Sequence, residues 1–195
     1  PEESGISHFI EHMVFKGTAS RSAAQLAELT DAIGGQVNAY TTKEYTCFYA
    51  HALDDHLPLA LDLLCDMFFC SRFEDSDVNT ERGVILEEIG MYEDTPEDLC
   101  TERLFSAIFR GSSLSRPILG RPAALRRITG RRLRAWRRDR YLPQHTVVAL
   151  SGRFSPADID YLCDRFSQMS GNPRPEVPPA SYTPAITVRK KEIEQ

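Results

Sequence analysis

The chain has 195 residues, of which 42% are hydrophobic and 26% charged, with a formal net charge of −5. That balance belongs to a folded domain able to bury a sizeable core, and it excludes collagen and a disordered polymer. A membrane helix is excluded too: it needs about 20 apolar residues, and Asp62 and Asp66 interrupt the most apolar stretch.

In chain order, Ile6, Phe9, Ile10, Met13 and Val14 recur at helical spacing and predict a short helix over Gly5 to Lys16, with Gly17 where a left-handed cap would end it. Ser20 or Ser22 can cap a second helix through Ala32, stopped by Gly34-Gly35. Val37 to Thr41 and Tyr45 to Leu53 are rich in strand formers and read as a hairpin turning at Thr42-Lys43-Glu44. Asp54-Asp55 open an apolar helix to about Cys70, and Asp75-Ser76-Asp77 start another to Glu93, closed by Thr95-Pro96. Helices are expected over Glu97 to Phe109, Pro122 to Ile128 and Arg131 to Tyr141, then a buried strand from His145 to Ser151 and an amphipathic helix from Ser155-Pro156 to about Met169. Five prolines within residues 171–184 read as a linker, and Ile186 to Ile193 as a last strand. Hairpin strands among clustered helices indicate an α+β fold, a mixed β-sheet covered by helices.

Charge is divided unevenly, with 21 acidic and 6 basic side chains in residues 1–109 against 7 and 17 in residues 110–195. Only Trp136 and Tyr141 accompany the arginines crowded between Arg110 and Arg153, so that segment reads as a solvated helix face and not as a nucleic-acid module. Five cysteines without C-x-x-C spacing read as reduced thiols, and a cytoplasmic location is expected with them. The start at Pro1, without Met or an apolar leader, reads as that of a fragment.

One segment carries chemistry. In His8-Phe9-Ile10-Glu11-His12 the two histidines stand four residues apart on a helix, so both imidazoles leave the same face and can converge on one cation, with Glu11 beside them. Imidazole nitrogens with a carboxylate suit zinc. Glu81 and Glu88 lie seven residues apart on the helix after Asp75, within about 20° of azimuth, while Glu87 points about 100° away. One of the pair can ligate while the other orients a histidine.

The run from His8 to Thr18 resembles the inverted zinc motif, H-x-x-E-H, of the M16 (pitrilysin or insulinase) metallopeptidases. The likeness continues through Gly34 to Thr41, Glu44 and Thr46, and again through Arg116-Pro117-Ile118-Leu119-Gly120, and is closest to the processing-peptidase branch. That resemblance implies zinc held by His8, His12 and Glu88, Glu11 as general base, and Glu81 as a helper behind the ligands. It also implies that the strand with Asn38 and Ala39 binds an extended peptide main chain by β-augmentation. Residues 1–170 would then form a zinc-containing catalytic domain lacking its first strands, a truncated half-clamshell, followed by the linker and the start of a further segment. A second homologous half or subunit would close the chamber and supply an Arg-Tyr clamp, with peptide or unfolded polypeptide as substrate and neither nucleic acid nor membrane as partner. Two other readings compete: a catalytically silent M16-like scaffold subunit, and an H-x-x-E-H lyase of the S-ribosylhomocysteine type, whose third ligand is a cysteine. His51, His56 and His145 read as surface or capping residues.

Overall fold

The computed structural model describes residues 3–171, 178–188 and 190. Helix α1 (Ile6–Met13) runs through the centre. Ile6 is three and four residues from Phe9 and Ile10, as Met13 is from Ile10 and Phe9, so the four share one helix face, and none is more than 2% exposed. Burying each such side chain contributes about 1.5–3 kcal/mol. Four of them commit that face to the core and leave His8, Glu11 and His12 on the remaining surface. Ser22 caps α2 (Ala23–Ala32): its hydroxyl accepts from the Gln25 N–H while the Gln25 side chain accepts from the Ser22 N–H.

Strands β1 (Gln36–Thr41) and β2 (Thr46–His51) pair antiparallel, from Gln36 opposite His51 to Thr41 opposite Thr46. The Thr42 N–H donates to the Tyr45 carbonyl at 2.8 Å and closes the hairpin loop. Opposed residues in such a ladder alternate between bonded and non-bonded pairs. With Thr42 and Tyr45 bonded, the bonded residues of β1 are Tyr40, Asn38 and Gln36. Val37, Ala39 and Thr41 therefore aim their backbone N–H and C=O groups away from β2, at an edge that no strand among the described residues covers.

Helix α3 (Leu57–Cys70) covers β2, and α4 (Asp75–Asp94) packs on α1 and continues into α5 (Pro96–Ile108). The short α6 (Pro122–Leu125) and α7 (Gly130–Arg140) pack near α1, while α8 (Pro156–Ser167) lies on α3. One core joins α1 to Leu26, Val37, Leu63, Met67, Phe73, Ile85, Leu125 and Leu133. The chain is α+β, with the sheet among the described residues limited to the hairpin.

Two expected strands are corrected. Residues 146–150 form no ladder, and Val147 is 92% exposed, because nothing described lies beside them to pair with. Ile186 and Val188 are likewise exposed and unpaired, while 189 and 191–193 lie outside the described residues, as do 172–177 of the expected linker. The expected helix over Pro122 to Ile128 ends at Leu125.

On α3 a buried carboxylate fastens the connection between α1 and α2. Asp66 accepts from Thr18 Oγ1 at 2.7 Å, Ser20 Oγ at 3.0 Å and Arg21 Nη1 at 2.7 Å. Burial alone would raise its pKa, but the hydrogen bonds from Thr18, Arg21 and Ser20 outweigh burial and hold it below the usual range. A carboxyl depressed on folding stabilises above its unfolded pKa of about 3.9, and that contribution is lost as pH falls through the folded value. Asp66→Ala is therefore expected to cost about 2 kcal/mol in urea unfolding at pH 7, since the hydroxyls of Thr18 and Ser20 lose their acceptor and the half-buried Arg21 keeps only Asp62. The gap to the unmodified protein narrows once pH drops below about 4. A gap unchanged down to pH 3 would show that the charge of Asp66 contributes nothing.

Candidate metal centre

His8, Glu11 and His12 leave α1 toward α4, where Val78, Glu81 and Ile85 form the buried stripe and Glu88 lies one turn further along. His8, His12 and Glu88 come together, each offering a ligand atom within 4.8 Å of the others. Glu88 Oε2 is 3.7 Å from His8 Nε2 and 3.5 Å from His12 Nε2. Zinc bonds of about 2.0–2.2 Å at tetrahedral angles separate neighbouring ligand atoms by roughly 3.4 Å, close to these edges. Glu88 Oε2 is buried and has no hydrogen-bond partner among the described residues, a costly arrangement for a carboxylate unless a cation takes it up. The His8 Nδ1 atom is also buried without a partner among them.

Glu81 is only 4% exposed and stands behind the cluster. Its Oε1 lies 2.8 Å from His12 Nδ1, and its Oε2 lies 2.7 Å from Lys16 Nζ. An ionised carboxylate only accepts, so Nδ1 of His12 carries the hydrogen and Nε2 presents a bare lone pair toward Glu88.

The surroundings treat the two imidazoles differently, keeping His8 neutral and favouring positive charge on His12. Burial, then the neighbouring His12, lowers the His8 pKa to about 4 against the pull of Glu88, so His8 is the neutral imidazole a metal requires at pH 7. Burial would lower His12 as well, but Glu88 and Glu81 more than offset it and raise its pKa. His12 and His8 hold the Glu88 carboxyl below the usual range despite its burial. Three carboxylates (Glu11, Glu81 and Glu88) against the single ammonium of Lys16 leave an excess of two negative charges, a match for a dication. By donor set, spacing and charge, the residues fit zinc.

Glu11 stands apart from the ligand triangle. Its Oε2 accepts from Thr41 Oγ1 at 2.5 Å, and burial raises its pKa against the lowering effects of Thr41 and His12. A cavity of about 420 Å³ opens beside it, bounded by Thr41, Tyr92, Arg103 and the 117–120 segment. That wall presses on the start of α1 because Gly5 (φ +88°) and Gly120 (φ +85°) cross back to back: a Cβ on Gly5 would sit 2.6 Å from the Leu119 carbonyl. On β1, Asn38 is exposed and its Oδ1 accepts from the Ala39 N–H at 2.8 Å, while Ala39 faces inward. Thr41, Lys16 and Gly120 lie within the stretches that carry the family resemblance, Thr41 in the expected substrate strand, but none has an individual side-chain role in the sequence reading. Strand parity could have signalled Thr41, which shares a face with Val37 and Ala39, whereas the partners of Lys16 and Gly120 are long-range contacts that no local spacing reveals.

The fold and the cluster define an α+β domain with a candidate two-histidine, one-carboxylate metal site on a helix that carries the H-x-x-E-H spacing. The sequence model of the insulinase family, peptidase family M16, matches residues 1–121, and the chain belongs to that family. It is similar to a protein of Bacillus subtilis named "Uncharacterized zinc protease YmxG", 45% identical over 197 residues, covering all of this chain and 48% of that protein. A second protein named as an uncharacterized zinc protease, from Streptomyces coelicolor, is 47% identical over 153 residues, 78% of this chain and 33% of the relative. The chain thus spans about half or less of the length of these relatives. In fold it resembles a protease from Helicobacter pylori (TM-score 0.80, 20% identity, 93% of this chain and 44% of that one). The same holds for a peptidase M16 inactive domain from Pseudomonas fluorescens (TM-score 0.80, 17% identity, 91% and 44%).

Proposed function

We propose that this chain carries the catalytic centre of a zinc-dependent endopeptidase acting on peptides or unfolded polypeptide segments. The observation that carries the reading is the closed triangle of His8, His12 and Glu88 with a further carboxylate, Glu11, on the same helix face and outside the triangle. Bound zinc would supply a Lewis acid that polarises a peptide carbonyl and acidifies adjacent water.

The rest is the work of the chain's own side chains. His8, His12 and Glu88 would hold the metal, and Glu81, which accepts from His12 Nδ1, fixes the tautomer of that ring. Glu11, its pKa raised by burial, takes a proton from the attacking water and delivers it to the departing amine nitrogen. The open edge of β1 offers the N–H and C=O groups of Val37 and Thr41 and the C=O of Ala39 to an extended main chain, while the Ala39 N–H, held by Asn38 Oδ1, becomes available when that exposed side chain swings aside. A second homologous half or subunit fits the greater length of the relatives and would close over the cavity.

The scaffold reading keeps one specific support, the inactive M16 domain among the similar folds. The lyase reading asks for a cysteine ligand, and the described cluster contains none. Zinc analysis and proteolysis of unfolded casein by the full-length protein separate the three. About one zinc per chain is expected, with hydrolysis abolished by 1,10-phenanthroline and restored by added zinc. Zinc-loaded protein that leaves casein intact favours the scaffold; thioether cleavage of S-ribosylhomocysteine favours the lyase.

A further inference from the structure

Thr41, the last residue of β1, touches the proposed base directly and belongs to neither the metal set nor the motif. We propose that Thr41 is a positioning residue that fixes the carboxylate of Glu11 relative to the open edge of β1. The inference rests on the reading of Glu11 as the base.

Thr41 Oγ1 lies 2.5 Å from Glu11 Oε2 and 3.2 Å from Thr46 Oγ1. A hydroxyl has one hydrogen and an ionised carboxylate can only accept, so the hydrogen of Thr41 goes to Glu11. Thr41 is then the acceptor toward Thr46, whose hydroxyl must donate. The two threonines are directly opposed as a non-bonded pair of the ladder, the kind in which facing side chains come closest. The hydroxyls therefore run in one direction, Thr46 to Thr41 to Glu11, each bond polarising the next.

Two consequences follow for the chemistry. Oε2 of Glu11 is engaged by a charge-assisted bond, which leaves Oε1 as the oxygen that receives a proton. Thr41 also offers its backbone at the open edge, so a peptide added there and the base that serves it take their positions from the same residue. The long Glu11 side chain would otherwise sample several rotamers, and a displacement of about 1 Å at a reacting group can cost ~10²-fold in rate.

The test uses the zinc-loaded full-length protein and a peptide substrate, with kcat, KM, zinc content and melting temperature measured for Thr41→Val, Thr41→Ser, Thr46→Val and Glu11→Gln. Thr41→Val is expected to lower kcat about 10- to 100-fold with KM changed less than about twofold, and with zinc content and melting temperature retained. Thr41→Ser keeps the donor and restores kcat, while Thr46→Val produces a smaller loss because it acts through Thr41. Thr41→Ala gives the same reading should valine distort the hairpin. Undiminished kcat in Thr41→Val beside a dead Glu11→Gln overturns this inference alone. A loss that tracks zinc release, or that Ser fails to rescue, overturns it as well. Full hydrolysis by Glu11→Gln overturns the base assignment and, with it, any positioning of that base.

Discussion

Glu11→Gln is expected to lower peptide hydrolysis by ~10²- to 10⁴-fold while the protein still carries its zinc. Glutamine keeps the length of the side chain, and its amide oxygen can still accept from Thr41, so the cavity wall and the bond of 2.5 Å between Thr41 and Glu11 have a near-equivalent. What disappears is the ability to take a proton. His8, His12 and Glu88 are unaltered, so metal content measured after dialysis is the internal control. The result separates two roles that one helix turn brings together. Loss of hydrolysis with zinc retained assigns Glu11 to proton transfer. Loss of both makes Glu11 a ligand or a support of one, and undiminished turnover removes it from the mechanism.

The local parts of this site were legible because helical periodicity is short-range. His8, Glu11 and His12 share a face by spacing alone, and the apolar set Ile6, Phe9, Ile10 and Met13 fixes which face is buried. The 20° offset of Glu81 and Glu88 placed both on one side of α4, but nothing in the spacing said which would approach the imidazoles as ligand and which would stand behind His12. That division depends on where α4 crosses α1, a tertiary fact that the family resemblance carried and composition did not. The hairpin was legible in its strands and not in its register, which alone decides that Thr41 faces Thr46 and that Val37, Ala39 and Thr41 turn their backbone groups to the open edge. The failures have the same origin. His145 to Ser151 and Ile186 to Ile193 have strand composition, but a strand exists only beside a partner, and the described residues supply none for 146–150 or 186–188.

The second large effect is expected at the metal itself, in a graded series of variants. His12→Ala removes a ligand nitrogen, and zinc should be lost on dialysis, because His8 and Glu88 alone give two ligand atoms where a zinc site normally takes at least three from the protein. Glu81→Gln preserves an oxygen that can accept from His12 Nδ1–H but removes the buried charge that raises the basicity of the ring and pairs with Lys16. Partners of this kind are typically worth ~10- to 100-fold in metal affinity, so Glu81→Gln is expected to bind zinc more weakly and still reach one per chain at saturation. Glu87→Gln removes the same formal charge from the exposed face of the same helix, and its zinc affinity is expected to match that of the unmodified protein. Competition titrations with a chromogenic chelator order the set. Full zinc retention by His12→Ala would reassign the ligand, and equal affinities for Glu81→Gln and Glu87→Gln would reduce Glu81 to an ordinary buried partner of Lys16. The predicted ordering, with Glu87 silent, Glu81 intermediate and His12 lost, requires both the azimuth of α4 and the contact between Glu81 and His12, since a general loss of negative charge would move Glu81 and Glu87 alike.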